Sequence, residues 1–137
     1  MSVQPYTALG EFPDVVDGLM TWAEAQWPQQ LVGNTGEDTP VDLQGRDFFL
    51  VVRLLTGQDD KITDVSTYDV EVFARTRAAA RALSEAIRSE LSVYPPVVGG
   101  VVLDDVYTET RPRELPWAGE NTRRYGATYQ ISTRRRV

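Results

Sequence analysis

The chain has no cysteine and no histidine among its 137 residues. The first absence excludes a disulfide framework, a thiolate metal site and a cysteine nucleophile. The second removes the commonest general base and metal ligand, and with it a Ser-His-Asp triad. No apolar run approaches the roughly 20 residues that span a bilayer, so no membrane contact is expected. The opening Met1-Ser2-Val3-Gln4-Pro5 lacks the basic-then-apolar order of a signal peptide, which points to assembly inside a cell. A P-loop and a Gly-x-Gly-x-x-Gly turn are also missing, and Ser84, Ser89, Ser92 and Ser132 have no Gly-x-Ser-x-Gly setting. No enzyme activity, metal or cofactor is expected.

What is present fits one globular domain spanning residues 1–137, with 42% hydrophobic and 25% charged residues. The net charge is −6, which argues against a nucleic-acid grip that needs a basic face. That charge is unevenly spread. Residues 1–71 carry 13 acids and 3 bases, whereas residues 72–137 carry 7 acids and 11 bases. The split either suits head-to-tail contact between copies or averages out when the chain folds.

Val65-Ser66-Thr67-Tyr68-Asp69-Val70-Glu71-Val72-Phe73-Ala74-Arg75 alternates with period two, placing Tyr68, Val70, Val72 and Ala74 on one face. A helix follows. Thr76 is placed to cap it, Ala79, Leu83, Ile87 and Leu91 form its apolar stripe with Ala82 and Ala86, and Tyr94-Pro95-Pro96 stops it. The helix stripe is expected to lie on the strand's apolar face. Upstream, Pro13 and Asp14 open a first helix with Val16, Leu19 or Met20, Ala23 and Trp27 on its inner face, closed by Pro28. Trp22 falls off that stripe, as a contact residue or one partly buried by a neighbour. Residues 47–56 are apolar almost throughout and predict a central strand whose one charge, Arg53, reaches a neighbouring carboxylate or the sheet edge. A turn over residues 57–61 pairs it antiparallel with the next strand.

Val97-Val98-Gly99-Gly100 punctuates the chain before a third strand over residues 101–110, and residues 123–134 alternate cleanly as a fourth. The expected fold is α/β (α+β), a four-stranded, mainly antiparallel sheet packed by two helices in the order α-β-β-α-β-β. Long loops are expected over residues 28–45 and 111–122. The acids Glu37, Asp38 and Asp42 lack EF-hand spacing, and Asp59-Asp60 and Asp104-Asp105 are neighbours that cannot converge on one strand face. The segment with Arg111, Arg113, Leu115 and Trp117 carries the residue types enriched at binding hot spots, although Trp117 folding back on the sheet edge is an equal alternative. The ending Arg134-Arg135-Arg136 is a basic cluster for an acidic partner, or a frayed tail.

Asp69-Val70-Glu71-Val72-Phe73-Ala74, the alanine-rich helix, the Pro/Gly break, Asp105-Val106, Arg111-Pro112 with Pro116-Trp117, Arg123-Arg124-Tyr125 and Tyr129-Gln130-Ile131-Ser132 together resemble the tail terminator proteins of long-tailed bacteriophages. The likeness covers about residues 48–134 and is one of pattern. It implies the α/β fold of the lambda-like tail terminators and a non-enzymatic, hexameric ring located at the head-proximal end of the virion tail, assembled in the host cytoplasm. Such a ring caps the tail tube, stops polymerisation of the major tail protein and gives the head-tail connector a surface to join, while DNA passes through its channel without specific binding. Three sets of contact residues follow from this chain's own pattern. Arg111, Arg113, Leu115 and Trp117 would meet the tube or an adjacent subunit; Asp69, Glu71 and Arg75 would face the channel or a neighbour; Arg77, Arg81 and Arg88 would form a basic inter-subunit face. Another phage neck or tail-completion protein, or a monomeric protein-binding module, are the alternatives.

Overall fold

Four long strands and two helices set the architecture in this computed structural model, which describes residues 13–59, 63–93, 97–119 and 121–134. The order is α1 (Val15–Gln26), α2 (Pro28–Leu31), β1 (Thr35–Gly36), a 3-10 turn (Leu43–Gly45), β2 (Phe48–Asp59), β3 (Thr63–Ala74), α3 (Arg77–Leu91), β4 (Val97–Val98), β5 (Val101–Val102), β6 (Asp105–Leu115) and β7 (Arg123–Arg134). The main sheet runs β1-β2-β3-β7-β6, and β4-β5 form a separate hairpin. All pairs in the main sheet are antiparallel except β1 with β2. The mixed α/β class stands, but the four-strand, two-helix plan is corrected to five strands, a second small sheet and three helices.

Asp14 starts α1 by accepting the Asp17 amide at 3.0 Å. It is the cap itself, with Pro13 just outside the helix. Val15, Gly18, Leu19 and Ala23 are buried, whereas Val16 and Met20 lie at the margin. Pro28 does not simply end α1; it opens the next single turn, where its missing N–H is harmless. Trp22 packs edge-to-face on Trp27, with ring centroids 5.4 Å apart. Residues 28–45 are therefore not an unstructured loop. Glu24 ties them down by accepting the Gly33 amide and the Thr35 hydroxyl, both at 3.0 Å.

Thr76 caps α3 as its position suggests, accepting the Ala79 amide at 3.1 Å. The buried stripe is Ala80, Leu83, Ser84, Ile87 and Leu91, turned from the expected one, so that Ala79 is half-buried and Ala82 exposed. The turn has a physical cause: α3 lies across β3, β7 and β6 together, which needs a broader inner face than a single row of every fourth residue. The helix stop expected at residues 94–96 lies outside the described residues. Tyr68, Val70, Val72 and Ala74 of β3 and Tyr125, Ala127, Tyr129, Ile131 and Thr133 of β7 are all buried, as their alternation requires. With Leu50 and Val52 of β2 they build the main core beneath α1, α2 and α3.

Gly99 and Gly100 have φ of +54° and +80°. These are the two positive-φ positions of a two-residue hairpin turn between Val98 and Val101. The expected third strand is thus split into β5 and β6, and β6 runs on through Leu115. Pro112 made residues 111–122 look like a loop. As an outer strand with register irregularities at Thr108–Thr110 and Thr110–Arg113, β6 accommodates that proline.

Candidate functional site

The sheet face turned away from the helices is covered at one end, and this cover builds the site. Phe49, Val51 and Phe73 alternate with the main-core residues and pack with Leu43 of the 3-10 turn into a second apolar cluster. That explains why residues 48–52 are apolar at every position: β2 is buried on both faces. Trp117, just beyond β6, closes over Phe73 edge-to-face at 4.9 Å between centroids.

Beside this cluster stands Glu71, only 1% exposed. The register Val51↔Glu71↔Gly126 places it mid-sheet, with no side chain on Gly126 to fill the space beside it. A Cβ at Gly126 would come within 2.5 Å of Leu115 Cδ1 and 3.6 Å of Glu71 Cγ. Two guanidiniums converge on the carboxylate. Arg53 of β2 donates from Nη1 to Oε1 at 3.4 Å, and Arg124 of β7 donates to Oε2. Each arginine also holds a covering segment. Arg53 donates from Nε to the Glu37 carbonyl at 3.0 Å, and Arg124 donates from Nη1 to the Pro116 carbonyl at 3.4 Å while lying 5.9 Å from the Trp117 ring centroid. Buried carboxylates need such partners, since desolvation of an unpaired one costs several kcal/mol, on the order of the pair's whole attraction.

Burial pushes the Glu71 carboxyl upward, but the hydrogen bonds from Arg124 and with Asp69, and the charges of Arg124 and Arg53, outweigh it and hold it below the usual carboxylate range. Asp69 goes the other way. Burial, then its hydrogen bond to Glu71 and the charge of that neighbour, push it up to about 6. A carboxyl raised from 3.8 to about 6 contributes stability that is complete below its unfolded value and is lost as pH rises through about 6. Asp69→Asn keeps a donor towards Glu71 and removes the second charge. It should stabilise the protein at pH 7.5 and give no gain at pH 4; urea unfolding at both pH values checks this, and an equal effect at both would refute it.

The expected contact residues divide accordingly. Glu71 is not a solvated residue of an open polar face, because residues 37–46 and 115–117 cover it; a channel-lining role for it is withdrawn. Asp69 beside it is half-buried, and Arg75 lies past β3, bonded to Asp47 at 2.8 Å. Arg111, Arg113 and Leu115 stand on the outer strand β6, not in a loop, with both arginines exposed and Leu115 half-buried over Gly126. Trp117 is 39% exposed. One side of it folds back onto Phe73, and the rest stands between two surface depressions of about 490 and 310 Å³, one against Pro116, Thr122 and Arg123, the other against residues 39–45. Of the α3 arginines, Arg77 is exposed yet 3.7 Å from Glu114, Arg81 is exposed, and Arg88 is half-buried.

Sequence reasoning missed the Glu71 clamp, although two signals pointed towards it. Arg53, the one charge in an apolar strand, was expected to reach a neighbouring carboxylate or the sheet edge, and Glu71 is such a carboxylate. Gly126 within an otherwise regular β7 marked a close approach. Asp104 bonds Arg134 at 2.9 Å instead of converging with Asp105, and residues 135–137 of the basic end lie outside the described residues. Among the described residues no three acidic, histidine or cysteine side chains cluster to hold a metal, and no helix is long and apolar enough to cross a membrane.

Comparison with protein-family models gives no match, and comparison with curated proteins gives none. Among solved structures the chain is similar to one from the virion of a native gene transfer agent (GTA) particle, at 16% identity and a TM-score of 0.57, over 89% of this chain and 99% of that one. At that identity the likeness is one of fold.

Proposed function

We propose that the chain is a non-enzymatic structural protein of a phage-like virion that forms a ring, caps the tail tube, ends tail polymerisation and presents the surface to which the head joins. The observation that carries this reading is the fold likeness to a virion chain, which spans nearly the whole of both molecules. It agrees with the tail-terminator pattern of residues 48–134, to which no single contact residue is owed. In this reading its partners are copies of itself, the major tail tube protein and a head-tail connector, at the head-proximal end of the tail. DNA passes without specific binding.

The site supplies the chemistry of a docking surface. Trp117 is an aromatic anchor flanked by hollows, held rigid by Phe73 and Arg124, with the exposed Arg111 and Arg113 nearby on β6. Pre-ordering of this kind lowers the entropy lost on binding.

Purified protein added to polymerising tail tube subunits should shorten the tubes, as measured by electron microscopy. Trp117→Ala should weaken capping by about 30-fold, the loss of a hot-spot contact worth about 2 kcal/mol. Tubes that grow to the same lengths with and without the protein would refute the function. Capping by the variant equal to the parent's would refute the surface alone. A neck or tail-completion protein would instead bind tubes already capped and leave their length unchanged.

A further inference from the structure

The two outer strands of the main sheet are unequally guarded. β1 covers β2 at Leu50 and Val51, where the Leu50 amide donates to the Asn34 carbonyl at 2.9 Å. Beyond Arg53 the outer rim of β2 meets no strand among the described residues, and there Leu54 and Leu55 are 55% and 53% exposed around a bulge. On the opposite rim, the second half of β6 carries Pro112, register irregularities and two arginines, all devices that discourage edge pairing. Its first half, residues 105–108, holds a regular register with β7, has exposed Asp105 as its one charge and exposes Tyr107 at 61%.

The two rim stretches that expose large apolar side chains lie at the same height. Across the sheet, the registers align Gln58, Val65, Ser132 and Asp105 in one row and Thr56, Thr67, Gln130 and Tyr107 in another. Because each neighbouring pair from β2 to β6 is antiparallel, β2 and β6 run in opposite directions. A second copy related by rotation about an axis along the strands keeps its strand directions. Its β6 therefore meets β2 antiparallel, and the sheet continues from one copy into the next.

Charge at the two rims is mixed: β6 exposes Asp105, Glu109 and Glu114 beside Arg111 and Arg113, and Asp14, Asp17, Glu37 and Asp38 are exposed on α1 and after β1. The match between the rims lies in strand direction, height and the exposed Leu54, Leu55 and Tyr107.

We infer that residues 54–59 of β2 pair with residues 105–108 of β6 in a second copy, by backbone hydrogen bonds and contact of Leu54 and Leu55 with the side of Tyr107. The contact is heterologous, so repetition either closes a ring or extends a filament. Ring closure, though not the pairing itself, rests on the function proposed above.

Two variants each disable one rim. Leu54→Glu/Leu55→Glu sets anions level with Thr108, beside the exposed Glu109, and Tyr107→Glu sets an anion against the rim that carries Leu54 and Leu55. By light scattering over a concentration series, the parent should exceed 15.4 kDa several-fold, and each variant, folded by circular dichroism, should stay near 15.4 kDa. An equimolar mixture of the two should give a species twice that size, because one intact rim remains on each. A mixture that stays monomeric while the parent assembles overturns the pairing. Variants that assemble into closed rings like the parent overturn it and leave the ring reading standing. Rim-sensitive open filaments sustain the pairing and overturn the ring. A parent that stays monomeric throughout overturns both.

Discussion

Arg124→Met should destabilise the protein by about 3–5 kcal/mol at neutral pH, the range for removing one partner of a buried ion pair. Glu71 would keep its burial but lose the donor that holds Oε2, and Arg53, which lies 3.4 Å away and is also engaged with Glu37 and Asp38, is a weaker partner. Trp117 and the Pro116 carbonyl would lose their shared contact as well. The pH dependence should change sign. In the parent, Glu71 sits below its usual range, so its contribution is present above the unfolded value of 4.5 and is lost as pH falls. Without Arg124, desolvation dominates and raises the carboxyl, so its contribution is lost as pH rises, and the penalty measured by urea unfolding should shrink towards pH 4. Glu71→Leu/Arg124→Met should be more stable than Arg124→Met alone, because it leaves no uncompensated buried carboxylate. A double variant at least as unstable as the single one would show that the ion pair is not what Arg124 serves.

Gly99→Ala should cost about 2–4 kcal/mol, combining a left-handed conformation for a residue with a side chain and overpacking against rigid atoms. Gly99 has φ of +54°, and a Cβ there would stand 2.6 Å from the Gly18 carbonyl oxygen and 2.8 Å from Gly18 Cα. Neither atom can rotate away. The two glycines are the point at which α1 and the β4–β5 turn touch backbone to backbone, so the substitution pushes the first helix off the hairpin. Gly100→Ala isolates the conformational part, since its φ is +80° but nothing lies within 4 Å of a Cβ there. It should cost about 1–2 kcal/mol. Equal thermal shifts for the two variants would mean that the close approach contributes nothing.

The candidate site was half legible. Trp117, Arg111 and Arg113 stood out by residue type, but Trp117's anchoring by Phe73 and Arg124 was not visible, because those partners lie 44 residues before it and 7 after it in the chain. Glu71 was misread for the same reason. Alternation in β3 correctly put it opposite the helix, and opposite the helix normally means water.

The sequence by itself determined the local elements whose causes lie within a few residues. It specified the two-residue period of β3 and β7, the Thr76 cap and the antiparallel pairing of β2 with β3. Tertiary structure alone decided what covers the second face, that Pro112 falls within an outer strand, and that β2 and β6 come to lie at opposite rims of one sheet. Periodicity records which residues share a face. Whether that face meets water, a returning segment or another copy depends on contacts between residues far apart in the chain, and no local pattern encodes those.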